Sequence, residues 1–144
     1  MAKKERQALI DGLNEDLAHE YEAIISYLLY AKLVHGHARL ELGAFFEAEI
    51  ADELGHAQFL AQKIVALGGT PTAEPAPVKL PRDNRGMLEA ALESEKATIE
   101  RYTKRAEQAE AAGEIGLKVD LEDLISDETG HKEDLERILY GWKD

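Results

Sequence analysis

Two Glu-x-x-His motifs are the parts of this sequence best suited to do chemistry. They are Glu53-Leu-Gly-His56 and Glu128-Thr-Gly-His131. In an α-helix, residues three apart lie on one face, so the carboxylate and imidazole of each motif can bind the same metal cluster. Carboxylate oxygen combined with imidazole nitrogen suits iron or manganese, and also zinc. Either motif alone is a weak signal, because this chain is rich in glutamate.

A repeat in the spacing makes the signal more specific. Glu20 lies 33 residues before Glu53, and Glu95 lies 33 residues before Glu128. A shift of 75 residues relates four pairs: Glu20 and Glu95, Tyr27 and Tyr102, Glu53 and Glu128, and His56 and His131. Two helical hairpins with this common layout would bring the paired residues to one level about a pseudo-two-fold axis.

Four helices are predicted to position these residues. All four prolines fall within residues 71–81, between two glycine-containing stretches, and this marks one long non-helical segment. Each flanking part is rich in helix-forming residues and is divided once by a glycine-containing turn. The expected elements are helices near 5–35, 38–67, 86–112 and 116–141, with a crossover over 68–86.

Each helix carries an apolar stripe with steps of three and four residues, and four such stripes predict an all-α four-helix bundle. The four glutamates and two histidines lie within these stripes, where we found no basic residue. Four buried carboxylates would then be very costly. The charge of two divalent cations would balance that of four carboxylates, so the stripes themselves predict a two-metal centre.

The lengths of the connections predict the topology. Two short turns make two antiparallel hairpins. The 19-residue crossover reaches ~60 Å when extended at ~3.3 Å per residue. A helix of about 28 residues is only ~42 Å long. The crossover can therefore run back along the whole bundle, and residues 1–144 are predicted to form a single domain.

Composition limits the function classes. The chain has 144 residues, 29 acidic and 17 basic side chains, a net charge of −12 and no cysteine. Disulfides and thiol chemistry are excluded, and excess negative charge opposes binding to DNA and anionic membranes. The basic residues Lys3, Lys4 and Arg6 are too few to reverse this. No apolar run is long enough to span a bilayer and no signal peptide is evident, so a cytoplasmic location is expected.

The layout resembles the ferritin-like superfamily, and within it the bacterioferritins and the related Dps-like proteins. The run EAEIADELGHAQFLAQKIVALGGTP at 47–71 is similar to the second helix and following turn of bacterioferritins, and DLISDETGHKEDLERIL at 123–139 to the fourth helix. The resemblance implies two irons per chain, with manganese or zinc as substitutes. It implies these ligand roles: Glu20 and His56 on one iron, Glu95 and His131 on the other, and Glu53 and Glu128 as bridges.

The resemblance also implies an activity. Such proteins oxidise Fe(II) with dioxygen or hydrogen peroxide and store ferric mineral inside a shell of subunits. Tyr27 becomes a candidate electron donor, with aromatic core packing as the equal alternative, and core packing is favoured for Tyr102. Glu49 and Asp52 become candidates for iron transit between the centre and the shell interior, the alternative being an ordinary acidic face.

Several positions depart from the family. Leu54 replaces the methionine that binds haem in bacterioferritins, so no haem is predicted. Only 13 residues follow His131, which leaves little room for the fifth helix of a 24-subunit shell. The expected homo-oligomer is therefore a shell of 12 or 24 subunits, or a dimer. A rubrerythrin-like di-iron or di-manganese peroxidase is the alternative function, but Thr98 stands where that family has a glutamate. A non-enzymatic bundle that acts through protein contacts is the third hypothesis for the function.

His19, His35 and His37 are expected to be surface or turn residues.

Overall fold

The computed structural model describes residues 1–143, and in that range the regular structure is entirely helical. The helices are α1 (Lys3–Leu33), α2 (Arg39–Ala66), α3 (Asn84–Ala111) and α4 (Ile115–Leu139). The predicted all-α four-helix bundle is confirmed, and the helix ends lie within two residues of the predicted ones. Among the described residues, none of the helices combines the length and apolarity needed to cross a bilayer.

Glycines make the tight turns of the two hairpins. Gly36 between α1 and α2 has φ +80°, and Gly113 between α3 and α4 has φ +81°. Glycine adopts this left-handed conformation at little cost because it has no Cβ atom. The chain can therefore reverse within a few residues, and α1 packs against α2 as α3 packs against α4.

The long crossover follows α1 in the direction of that helix. Tyr21 Oη donates to Thr72 O at 2.9 Å, and Tyr30 Oη donates to Lys79 O at 2.6 Å. Between them, the backbone N–H of Ala76 donates to the carbonyl of Ala18 at 2.9 Å. The crossover thus returns along the bundle, and it joins the two hairpins so that α1 packs against α3.

The core consists of two apolar clusters, one toward each end of the bundle. One cluster includes Leu13, Leu17 and Leu121, and the other includes Phe46 and Leu88. The buried glutamates and histidines lie on the same helices, at sequence positions between these two clusters. The apolar clusters therefore set the helix register at which the polar side chains meet.

A buried ion pair was not foreseen from the sequence. Arg105 is only 5% exposed, and its Nε and Nη2 donate to Asp16 at 2.8 and 3.2 Å. Its Nη1 donates to Gln108 at 2.7 Å, and the guanidinium crosses directly over Gly12. Arg105 lies beside the predicted apolar stripe of α3 and is buried all the same. Arg105 is nevertheless fully engaged by Asp16 and Gln108, and so does not neutralise the glutamates.

Candidate metal centre

The six side chains predicted as metal ligands converge inside the bundle. Each helix contributes through the helical periodicity that also builds its apolar stripe: α1 supplies Glu20, α2 supplies Glu53 and His56, α3 supplies Glu95, and α4 supplies Glu128 and His131. None of the six is more than 8% exposed. Four helices therefore bring four carboxyl groups and two imidazoles to one buried place.

Their ligand atoms form two overlapping groups. One group comprises Glu20, Glu53, His56 and Glu128, and the other comprises Glu53, Glu95, Glu128 and His131. Within each group, one ligand atom per residue lies within 4.8 Å of all the others. Glu53 and Glu128 belong to both groups, which is the arrangement expected of two carboxylates that bridge neighbouring metal ions.

Each histidine directs Nδ1 toward the glutamates. His56 Nδ1 lies 2.9 Å from Glu128 Oε1 and 3.9 Å from oxygens of Glu20 and Glu53. His131 Nδ1 lies 3.3 Å from Glu53 Oε1, with oxygens of Glu95 and Glu128 at 3.8 Å. The Nδ1 atoms are therefore the imidazole atoms that face the cluster of carboxyl groups.

The opposite ring nitrogens contact outer aspartates. His56 Nε2 lies 3.3 Å from Asp127 Oδ2, and His131 Nε2 lies 3.1 Å from Asp52 Oδ2. A carboxylate on one imidazole nitrogen fixes the ring and keeps the other nitrogen available to a metal. Sequence reasoning missed Asp127. The 75-residue shift that relates the ligands also relates Asp52 to Asp127, and so would have revealed it.

Glu49 breaks this pseudo-symmetry. Its Oε2 atom lies 3.0 Å from His131 Nε2, and the side chain is buried. Glu49, Asp52 and His131 form a third group of close ligand atoms, and Asp52 is exposed. The residue related to Glu49 by the 75-residue shift is Leu124. The His131 half of the centre alone therefore has a second outer carboxylate that leads toward the surface.

Two tyrosines bond to the glutamates that lie in only one group. Tyr27 Oη donates to Glu95 Oε1, and Tyr102 Oη donates to Glu20 Oε1. Both tyrosines are almost completely buried. Core packing alone therefore does not describe Tyr102, since the structure gives both phenols the same position relative to the centre.

Several carboxylate and imidazole atoms that face the centre have no hydrogen-bond partner. Within the described residues, the buried atoms with no hydrogen-bond partner include one carboxylate oxygen from each of the four glutamates and Nδ1 of both histidines. Buried polar atoms without partners are rare because each costs free energy. Carboxylate oxygens and imidazole nitrogens facing one another fit two cations of the iron, manganese or zinc type.

Burial and close packing raise the pKa of three of the four glutamates and lower that of the fourth. Burial, followed by the nearby Glu53 carboxylate, raises the pKa of Glu20 well above its usual range. Burial raises the pKa of Glu95 to about 7 and raises that of Glu128 well above normal. Burial alone would raise the pKa of Glu53, but close polar contacts with Glu20, His131 and Glu128 outweigh it and lower this pKa to about 2.

The histidine beside Glu49 is also perturbed. Burial alone would lower the pKa of His131, but the carboxylates of Glu49 and Glu53 outweigh it and raise this pKa to about 11. Without metal, the centre therefore holds protons on some carboxyl groups and on His131. Cations that bind there must displace those protons.

The remaining histidines, and the positions that depart from the family, are not among the close ligand groups. His35 and His37 are exposed near the α1–α2 turn, and His19 is partly buried on α1. Thr98 is buried on α3 and Leu54 is 47% exposed on α2. Met87 is completely buried in the core, so it presents no sulfur to a surface haem. The absence of haem stays a prediction.

A model of the ferritin-like domain matches residues 10–143 of this chain. The chain belongs to the ferritin-like family. Bacterioferritin from Streptomyces coelicolor is 32% identical to this ferritin-like chain over 132 residues, which are 91% of the chain and 79% of that protein. A solved ferritin-like, diiron-carboxylate protein from Bacillus anthracis is 54% identical, covers 96% of the chain and 99% of its own, and superposes with a TM-score of 0.93.

The ferritin-like chain also resembles a protein whose assembly is known. A dodecameric thioferritin, the bacterioferritin-related protein of Bacteroides fragilis, is 27% identical to it. That structure superposes with a TM-score of 0.83 over 94% of this chain and 86% of its own. The resemblance of the sequence to bacterioferritin-type members of the ferritin-like superfamily is therefore confirmed.

Proposed function

We propose that this chain is a ferroxidase that oxidises Fe(II) to Fe(III) at the buried centre and contributes to iron storage and detoxification in a shell of identical subunits. The observation that carries the proposal is the pair of overlapping ligand groups that share Glu53 and Glu128. The bacterioferritin from Streptomyces coelicolor and the diiron-carboxylate protein from Bacillus anthracis support the same chemistry.

The assignment of ligands follows from the overlap. In this proposal Glu20 and His56 hold one iron, Glu95 and His131 hold the other, and Glu53 and Glu128 bridge them. Two iron ions bound side by side supply two electrons together to dioxygen or hydrogen peroxide. The protein supplies a dry cavity, carboxylates that can change their contacts as the charge rises, and the Asp52 and Asp127 contacts that hold the imidazoles.

Tyr27 and the outer acids have distinct roles in this proposal. Tyr27, bonded to Glu95, is placed to supply one further electron through its phenol, whose proton can pass to that carboxylate. Glu49 and exposed Asp52 lie where iron would leave the His131 half of the centre. The proposal includes a cytoplasmic location and a 12-subunit shell. It does not include DNA binding, because of the net charge of −12.

The decisive experiment adds Fe(II) without oxygen, then admits dioxygen or hydrogen peroxide while ferric absorbance is recorded. We expect about two irons per chain to oxidise rapidly, because each chain has one two-metal centre. Prior loading with zinc, which suits the same ligands and is not oxidised, should block the fast phase. Oxidation no faster than in buffer would rule out the ferroxidase.

Particle mass and iron capacity separate storage from other redox functions. A closed shell that retains many more than two irons per chain would support storage. A dimer that oxidises iron but holds only two irons per chain would reject storage and favour the rubrerythrin-like peroxidase. A protein that binds no metal would leave only a non-enzymatic bundle.

A further inference from the structure

A cavity whose lining includes several polar side chains lies outside the metal centre, between α1, α3 and the crossover. Its volume is about 300 Å³. Tyr27 belongs to both places, since its side chain lines the cavity and its hydroxyl donates to Glu95. At ~30 Å³ for each liquid water, this volume accommodates a phosphate-sized ion together with several waters.

Arg101 is the unusual residue of this cavity. Arg101 lies on α3 and is partly buried. Among the described residues, its guanidinium makes one hydrogen bond, in which Nη2 donates to Thr98 Oγ1 at 2.8 Å. Its Nε atom is buried and has no hydrogen-bond partner among the described residues. No carboxylate in the described chain lies within 4 Å of this guanidinium, although five N–H donors make arginine a strong partner of anions.

Ser26 provides a second donor, beside the phenol of Tyr30. The residue is 7% exposed, and its Oγ atom makes no hydrogen bond within residues 1–143. Ser26 lies on α1 and Arg101 on α3, and both line the cavity. Both helices therefore contribute a polar side chain to the lining of this one cavity.

The acidic residues of the cavity are already engaged. Glu93 forms an ion pair with Lys79 of the crossover at 3.6 Å. Glu22 accepts a hydrogen bond from Ser94 Oγ at 3.5 Å. Burial raises the pKa of Glu22, which lessens its repulsion of an anion. The guanidinium of Arg101 is therefore the charged group of this cavity that lacks an opposite charge in contact.

We propose that this cavity binds a small oxyanion, with Arg101 as its charge partner and Ser26 as an additional donor. The ligand is either inorganic phosphate or the carboxylate of a small organic acid, since both offer oxygens to a guanidinium. The proposal does not depend on ferroxidase activity, because among the described residues no hydrogen bond or ion pair joins the other cavity residues to the six side chains of the metal centre.

Calorimetric titration of the full-length protein tests this proposal. Metal is removed first, because phosphate and malonate are themselves metal ligands. We expect saturable binding of one ion per chain for inorganic phosphate or for malonate, and the one that binds more tightly identifies the source. No saturable binding of either probe at millimolar concentration would overturn the proposal.

Variants show whether the cavity is the binding site. Arg101→Gln should weaken binding about tenfold or more, and Ser26→Ala about threefold to tenfold, as expected for charged and neutral hydrogen bonds. Arg101→Lys should be intermediate, since it keeps the charge but loses the planar donors. Arg6→Gln is the matched control, because Arg6 is exposed at the start of α1 and its loss changes the net charge equally.

The outcomes are distinct. A normal helical circular dichroism spectrum establishes that each variant is folded. Unchanged affinity in folded Arg101→Gln, or equal weakening in Arg6→Gln, would overturn the proposal. If Arg101→Gln does not fold, Arg101→Lys and Ser26→Ala decide, and unchanged affinity in both would overturn it.

Discussion

At the scale of single residues, the centre is a set of ligands whose surroundings are as specific as the ligands themselves. Asp127 and Asp52 each contact the outer nitrogen of a histidine whose inner nitrogen faces the glutamates. Tyr27 and Tyr102 bond to the two glutamates that belong to one ligand group each. The side chains around the centre thus limit how its ligands rotate and where protons reside.

Removal of the contact between Asp127 and His56 should lower the affinity of the centre for metal. Asp127→Asn removes the carboxylate that fixes the His56 ring, and loss of such a contact typically weakens metal binding about 10- to 100-fold. Competition between the protein and a chelator for zinc measures the change. Asp123→Asn is the control, since Asp123 is an exposed acid one turn earlier on α4 and should keep normal affinity.

Metal binding should release protons. The pKa values of Glu20 and Glu128 are raised well above normal, mainly by burial, and that of Glu95 is raised to about 7. Below this value the metal-free centre holds protons that a cation displaces, whereas above it Glu95 is already ionised. Proton release should therefore fall, and zinc affinity should rise, between about pH 6 and about pH 8.

Calorimetry with zinc in buffers of different ionisation enthalpy counts the released protons. Zinc is suitable because it has no redox chemistry. An equal or larger proton release at the higher pH would contradict the assignment of these carboxyl groups as metal ligands.

At the scale of helices, α1 and α3 are joined by a buried ion pair as well as by apolar contacts. Arg105 bonds to Asp16, and a methyl group at Gly12 would lie 2.0 Å from Arg105 Nη1. Burial raises the pKa of Asp16 in spite of this arginine, so the desolvation cost is large. Such pairs add little net stability. We infer that this one specifies the register of α1 on α3, one turn from both Glu20 and Tyr102.

Substitution of Gly12 tests this packing. Gly12→Ala should displace Arg105 and leave Asp16 buried without its partner, which would lower the free energy of unfolding by about 3 kcal/mol or more. Gly130→Ala is the control, because nothing lies within 4 Å of a methyl group there. The control should gain up to about 1 kcal/mol from helix propensity. Urea unfolding measures both, and equal stability of the two variants would contradict the packing.

At the scale of the whole molecule, the interior holds negative charge that metals would balance. Four of the 29 acidic residues are the glutamates of the centre, whereas most others lie on the surface. In the metal-free fold, only protons on Glu20, Glu128 and His131 offset this charge, so the stability of the fold should depend on metal. The net charge of −12 is an aid in attracting cations and does not itself form the site.

Glu128→Ala separates folding from metal chemistry. The variant should fold and, without metal, be at least as stable as the natural chain, because it has one fewer buried carboxyl group. It should lose fast Fe(II) oxidation. It should also lose most of the stabilisation by zinc, which raises Tm and amounts to about 2.7 kcal/mol of unfolding free energy when free zinc is 100 times the Kd. Thermal unfolding and ferric absorbance measure these changes.

The control for this prediction is Glu122→Ala. Glu122 is exposed on the same helix, and the variant should retain both iron oxidation and the zinc effect. Normal oxidation by Glu128→Ala would show that Glu128 does not bridge the metals.

The sequence by itself determined which residues share a helix face, because helical periodicity and capping are local. It therefore predicted four helices, the returning crossover and the six residues that meet in the bundle. Only the tertiary structure decided the partners across helices: Asp127 with His56, Tyr102 with Glu20, and Arg105 over Gly12. It also left Arg101 beside a cavity without an opposite charge. Such contacts depend on the rotation and register of one helix against another, which side-chain packing sets after the helices have formed.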